Sequence, residues 1–138
     1  MRGRMAAPRR KRLSCNLGNT DNHIKNLSLL YGNDLKTIRL APAYDIVSTM
    51  IYESSTENMA LSIGGDYDIR KITEESFEKE ATKVGLGVKM AMKRLDTLRK
   101  NFAEALNAGV QVLEEQGFEG TKDIAEQIMS CGGIRNYI

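Results

Sequence analysis

The feature that most constrains this chain is a change of periodicity near residue 72. From Thr73 onward the apolar residues recur at helical spacing. They are Phe77, Ala81 and Val84 in "TEESFEKEATKV", then Val88, Met92, Leu95, Phe102 and Leu106 along "VKMAMKRLDTLRKNFAEAL". Such positions share one face of a 3.6-residue helix, and that face must be covered. Thr73 reads as an N-cap, with Glu74 and Glu75 in a first turn where acids suit the positive end of the helix dipole. "GLG" (85–87) interrupts the pattern. Val110 and Leu113 continue it past Gly109, where the helix either bends or gives way to a new one. A last helix over about residues 121–130 carries Ile124 and Ile128, with "CGG" (131–133) at its end. The Met and Leu stripes are expected to be core, and the Lys and Arg residues between them a solvated face.

Before residue 72 the runs are shorter. "LSLLY" (27–31) and "LKTIRLA" (35–41) flank "GND" (32–34), whose Gly and Asn tolerate the positive φ of a tight turn, so a β-hairpin is expected. "MALSIGG" (59–65) reads as a further strand closed by a glycine pair. The expected fold class is α+β: mainly helical, with a short β-hairpin.

A chain of 138 residues, 41% hydrophobic and 28% charged, is long enough for one globular domain with a real core and no need of disulfides or metal. Its net charge of +2 hides an asymmetry. Residues 1–12 hold six basic residues and no acid, which leaves 14 Lys+Arg against 18 Asp+Glu elsewhere, a net of −4. The reading is an acidic domain with a basic arm over residues 1–15, either flexible or a truncated helix. Such an arm can meet nucleic acid through residues 2–12 by counterion release, although no aromatic side chain interleaves its charges. Cys15 and Cys131 lack metal-site spacing and are expected to be reduced thiols. No apolar run approaches the roughly 20 residues of a membrane span, so a cytoplasmic protein is expected.

The chemistry concentrates in "GNTDNHIKNLS" (18–28), which contains the only His. Asp21 and Asn26 stand five apart, the spacing at which a kinase catalytic loop sets two tasks side by side. An ionised carboxylate accepts the proton of a substrate hydroxyl, and a carboxamide oxygen suits Mg²⁺, a hard cation. Asp45 in "LAPAYDIVST", just after the hairpin, is placed to be the further metal carboxylate. Taken by itself, Asp-x-x-x-x-Asn is common, and the competing reading is an Asx-rich loop that satisfies its own backbone.

The whole string decides between them. "GNTDNHIKNLSLL", "LAPAYDIVST" and "LSIGGDYDIRKIT", followed by helices, closely resemble the C-terminal lobe of HipA-like serine/threonine kinases, the toxins of bacterial toxin–antitoxin pairs. Asn19, Asp21, His23, Lys25, Asn26 and Ser28 match that family's loop pattern, and the resemblance covers residues 16–138. It implies a kinase-like C-lobe in which Asp21 is the catalytic base and Asn26 and Asp45 bind Mg²⁺ and ATP. His23 and Lys25 would shape the loop or touch the phosphates; a purely structural role for His23 stays open, and Lys25 could neutralise the transferring phosphoryl group. Ser48 and Thr49 are expected to cap the turn after Asp45. The implied partners are an antitoxin or a separate N-lobe polypeptide, and a protein substrate bearing a Ser or Thr hydroxyl.

The sequence also departs from the family. It holds no Gly-rich phosphate-covering loop and no strand lysine for the nucleotide. "AAPRRKRLSCNL", with Pro8, replaces the apolar helix expected before the loop. The chain alone is therefore expected to be inactive, with Mg²⁺ and ATP bound only in a complete enzyme. The alternative is a non-catalytic interaction module.

Overall fold

The structure, a computed structural model, describes residues 6–131, and residues 1–5 of the basic arm lie outside them. Helix α1 (Ala6–Leu17) leads into a loop with a single 3₁₀ turn at Ile24–Asn26. Strands β1 (Leu29–Tyr31) and β2 (Ile38–Leu40) form one antiparallel hairpin, and β3 (Asn58–Ile63) and β4 (Asp66–Asp68) a second. Helices α2 (Glu74–Lys83), α3 (Val88–Glu115) and α4 (Thr121–Cys131) follow. The mixture of helices and small antiparallel sheets is the expected α+β class. Among the described residues no helix is long and apolar enough to cross a membrane.

Pro8 does not prevent α1. It is the third helical residue, where the backbone N–H that proline lacks has no intrahelical partner in any case. Gly18, at φ 70°, ends the helix: its N–H donates to the Cys15 carbonyl at 3.2 Å and the Asn19 N–H to Ser14 at 2.7 Å. Lys11 and Cys15 are among the residues that bind α1 to the body. Cys15 is fully buried among Met59, Ile63, Ile69, Ile72, Phe77 and Leu95. Lys11 donates to the Ser62 carbonyl at 3.0 Å and to Glu80 Oε1 at 2.5 Å. Glu80 Oε2 in turn accepts the Gly64 N–H at 3.2 Å. Lys11, counted from the sequence in the basic arm, is an internal strut joining α1, the β3–β4 turn and α2.

The first hairpin pairs Leu29 with Leu40, Leu30 with Arg39 and Tyr31 with Ile38, as the alternation predicts. Its turn is organised by Asp34, whose carboxylate accepts from the Lys36 and Thr37 N–H groups and the Thr37 hydroxyl. Those bonds, the Lys36 N–H foremost, hold its pKa below the ordinary carboxylate value. In the second hairpin Gly64 is at φ 64°, and a Cβ there would lie 2.5 Å from the Ser76 carbonyl oxygen of α2. Glycine is thus required both by conformation and by the closeness of two backbones.

Helix α2 starts at Thr73, whose N–H donates to Ser76 Oγ, and buries Phe77 and Ala81. Helix α3 passes through Gly109 as one 28-residue helix, which resolves the alternative left open at that residue. Arg99 departs from the solvated face expected of it, pairing with Glu74 of α2 at 2.9 Å with its side chain only 16% exposed. The apolar stripe is only partly core. Leu95 and Phe102 are buried, but beyond them α3 buries only Val110. Leu113 is 40% exposed and Ile124 of α4 is 48% exposed, contrary to the expected core placement. A helix pair buries only the stripe each helix turns to the other, and among the described residues nothing else covers Leu113 and Ile124.

Burial pushes the Glu80 carboxyl up, but the Lys11 ammonium, with help from the Gly64 N–H and Lys83, outweighs it and holds the pKa below the ordinary 4.5. A carboxylate depressed in the folded state stabilises fully above its unfolded pKa and loses that contribution as pH falls through the folded value. Glu80→Gln is therefore expected to cost about 2 kcal/mol at pH 7, less than a fully buried pair because Lys11 keeps some solvent. The same variant is expected to have a flatter stability curve below pH 4.5 in chemical denaturation. Gly64→Ala is expected to lose about 3 kcal/mol, from left-handed backbone and overpacking together. Gly65→Ala, with open space around its Cβ, is expected to lose about 1 kcal/mol in the same assay.

Candidate functional site

The 18–28 loop is clamped from both sides before any of its chemistry is considered. The Gly18 carbonyl accepts from the N–H groups of Thr49 and Met50 at 3.1 and 3.0 Å, and from the Thr49 hydroxyl at 2.9 Å. Thr49 Oγ1 also accepts the Thr20 N–H at 2.8 Å and lies 2.8 Å from the Thr20 hydroxyl. The Thr20 carbonyl accepts from Ala60 of β3 at 2.9 Å. Thr49 was expected to cap a turn, but its side chain locks the loop to the segment after Asp45. Ser48 is buried beside it, and its hydroxyl caps nothing.

Within this clamp, Asn26 and Asp45 come together. Asn26 is 3% exposed and its Nδ2 donates to Asp45 Oδ2 at 2.6 Å. Asp45 is exposed and adopts φ 56°, a left-handed backbone that Asp tolerates better than most residues. Asn19, also 3% exposed, brackets the pair: its Oδ1 accepts the Asp21 N–H at 3.1 Å and its Nδ2 donates to the Asp45 carbonyl at 3.2 Å. The Asp21 carboxylate is on the surface of the same loop. His23 is half-buried, and its carbonyl accepts the Asn26 N–H at 3.0 Å to close the 3₁₀ turn. Its Nδ1 is buried with no partner. Lys25 is exposed, and its carbonyl accepts from the Tyr44 hydroxyl at 2.9 Å.

Of the residues singled out from the sequence, the structure thus joins Asn26 to Asp45 directly and Asp21 to Asp45 through Asn19. Among the described residues no side-chain hydrogen bond or ion pair joins Asp21, His23 and Lys25 to one another. The bracketing role of Asn19 and the placement of Tyr44 were missed. Both stand inside the quoted motifs, but a hydrogen bond across 19 or 26 residues of chain leaves no periodic trace.

The donor set fits Mg²⁺ in a specific way. Asp45 offers a carboxylate and Asn26 a carboxamide oxygen, hard donors suited to that ion. Among the described residues no group of three or more His, Cys, Asp or Glu side chains could hold a metal. Two oxygen ligands and no cage suit an ion that keeps its waters and binds mainly through phosphates. Neither Cys15 nor Cys131 forms a disulfide, and burial pushes the Cys131 pKa up, which disfavours the thiolate a soft metal site needs.

Comparison with known proteins gives this geometry a family. The HipA-like C-terminal domain model matches residues 4–106. Two proteins of Sinorhizobium fredii named as candidate kinases are similar to the chain. Y4mE is 32% identical over 99 residues, and Y4dM 34% identical over 92. The matches cover 72% and 67% of this chain but 22% of each relative, so the chain spans about a fifth of their length. In fold it is similar to HipA of Shewanella oneidensis MR-1, a structure solved in complex with HipB and operator DNA. The TM-score is 0.78 over 94% of this chain and 30% of that one, at 20% identity. Loop, hairpins and helices together place this chain in the HipA-like C-terminal domain family.

Proposed function

We propose that the chain is the part of a HipA-type serine/threonine kinase that holds the catalytic and metal loops. The observation that carries this reading is the Asn26–Asp45 contact, bracketed by Asn19 to Asp21. It brings to one place the three residue types that phosphoryl transfer to a hydroxyl needs.

In this reading Asp21 accepts the proton of a protein Ser or Thr hydroxyl and aligns its oxygen for in-line attack. Its exposure leaves room for an incoming side chain. The exposed Lys25 ammonium offsets negative charge on the transferring group. His23 acts through its backbone, closing the turn that presents Lys25 and Asn26. Asn26 and Asp45 are the ligands for Mg²⁺, which when bound with ATP supplies charge neutralisation across the phosphates. Transfer of this kind is mostly positioning and electrostatics, so a loop without a phosphate cradle keeps little of it. No Gly-rich cradle or strand lysine occurs in these 138 residues. Both would come from elsewhere in a longer polypeptide or from a second one.

A second reading, an interaction module, is favoured by the uncovered apolar side chains of Val112, Leu113, Phe118 and Ile124. A HipB-like antitoxin is the partner class proposed from the Shewanella likeness. DNA contact would fall to the arm without Lys11, which is engaged by Glu80.

The test combines the chain with whatever supplies the nucleotide lobe and measures ATP-dependent phosphorylation. Asp21→Asn is expected to lower the rate about 10²- to 10⁴-fold, the usual worth of a positioned base. Asp45→Asn, which keeps a side chain tolerant of the left-handed backbone, is expected to remove Mg²⁺-dependent ATP binding. The chain alone is expected to show no transfer. Phosphorylation that survives Asp21→Asn at full rate overturns the proposal.

A further inference from the structure

A third link between the two loops is not used by the chemistry above. The Tyr44 hydroxyl donates to the Lys25 carbonyl at 2.9 Å and lies 2.8 Å from Ser28 Oγ. A phenol has one proton, so with that proton on the carbonyl it accepts from Ser28. Tyr44 immediately precedes Asp45, and Lys25 immediately precedes Asn26. The phenol therefore pins the neighbour of one proposed ligand to the neighbour of the other. The Ser28 carbonyl accepts the Ala41 N–H at 2.8 Å, so the segment leading to Asp45 is held at both ends.

Asp45 has need of such a hold. Its left-handed backbone persists only when the surroundings over-determine it, and the next two residues give it little support. Ile46 is 40% exposed and Val47 46% exposed. Asn19 fixes the Asp45 carbonyl and Asn26 its carboxylate, but both act from the same loop. Thr49 ties down the chain after Asp45, and Tyr44 is the residue next to Asp45 on its other side whose side chain reaches back to that loop.

We propose that Tyr44 is a positioning residue whose hydroxyl sets the separation of Asn26 and Asp45 by latching the Asp45 segment onto Lys25 and Ser28. The proposal rests on reading Asn26 and Asp45 as metal ligands. Its structural half, the coupling of the Tyr44 hydroxyl to the Asn26–Asp45 contact, can be read without any metal.

The experiment compares the 138-residue chain with its Tyr44→Phe and Ser28→Ala variants by nitrogen-15 NMR, first alone and then titrated with Mn²⁺. Tyr44→Phe is expected to keep a dispersed, folded spectrum while shifting the Asn26 side-chain carboxamide and Asp45 amide signals. It is also expected to move the Mn²⁺ concentration that broadens those signals about tenfold higher, the worth of one such hydrogen bond. Ser28→Ala leaves the bond to Lys25 and is expected to produce a smaller change in the same direction. Unchanged Asn26 and Asp45 signals in Tyr44→Phe overturn the proposal. General loss of dispersion in that variant also overturns it, because the hydroxyl would then be supporting the whole fold. Mn²⁺ broadening in the unsubstituted chain that falls elsewhere and spares Asn26 and Asp45 overturns the metal reading instead, and the metal-free spectra still decide the latch.

Discussion

The contact between Lys11 and Glu80 ties the helix that leads into the loop to the body of the domain. It fixes α1 against the second hairpin and α2, and α1 fixes Gly18 at its end. The Gly18 carbonyl then gathers three donors from Thr49 and Met50, which sets the path of the segment downstream of Asp45. The Lys11 ammonium and the buried Cys15 together thus anchor the helix from which these placements run. A buried pair of this kind adds little net free energy, since desolvation consumes much of the Coulomb attraction. Its contribution is to make one arrangement of α1 much better than its neighbours.

The loop pair shows how amide side chains do work that charges cannot. Asn19 and Asn26 are both 3% exposed, yet neither brings a charge into the interior. Each offers a donor and an acceptor on one planar group, so Asn19 can hold Asp21 with one end and Asp45 with the other. Two lysines in those places would attract Asp45 but could not accept the Asp21 N–H. Carboxylates there would repel it. The asparagines let two acidic residues share a small region without either being buried.

Much of this was legible in the sequence, and what was not has identifiable causes. Helical periodicity located α2 and α3, and alternation around "GND" located the first hairpin, because both patterns are written within a dozen residues. The motif string located the loop and its family. Strand β4, "DYD", carries no apolar alternation and is specified only by the turn at Gly64–Gly65. Residues 1–15 read as either flexible or a truncated helix, because the effect of Pro8 depends on its distance from the helix start, which propensity alone does not give. The partner of Lys11 lies 69 residues away, and no local rule links the two. The stripe on α3 and α4 was over-read as core: periodicity tells which residues share a face, and only tertiary neighbours tell whether that face is covered.

Helix α3 is one continuous piece of backbone about 42 Å long at 1.5 Å per residue, but its two halves rest on very different foundations. The root, around Ala91, Leu95 and Phe102, is buried in the body, whereas the tip is supported by Val110 against a short α4. Gly109 stands between them and weakens the helix by about 1 kcal/mol relative to alanine. Local opening should therefore be graded along its length, with the tip exchanging its amide protons well before the root. The 18–28 loop is held by Thr49, Met50 and Ala60 of β3, so the helix can fray at its tip while those bonds stay in place.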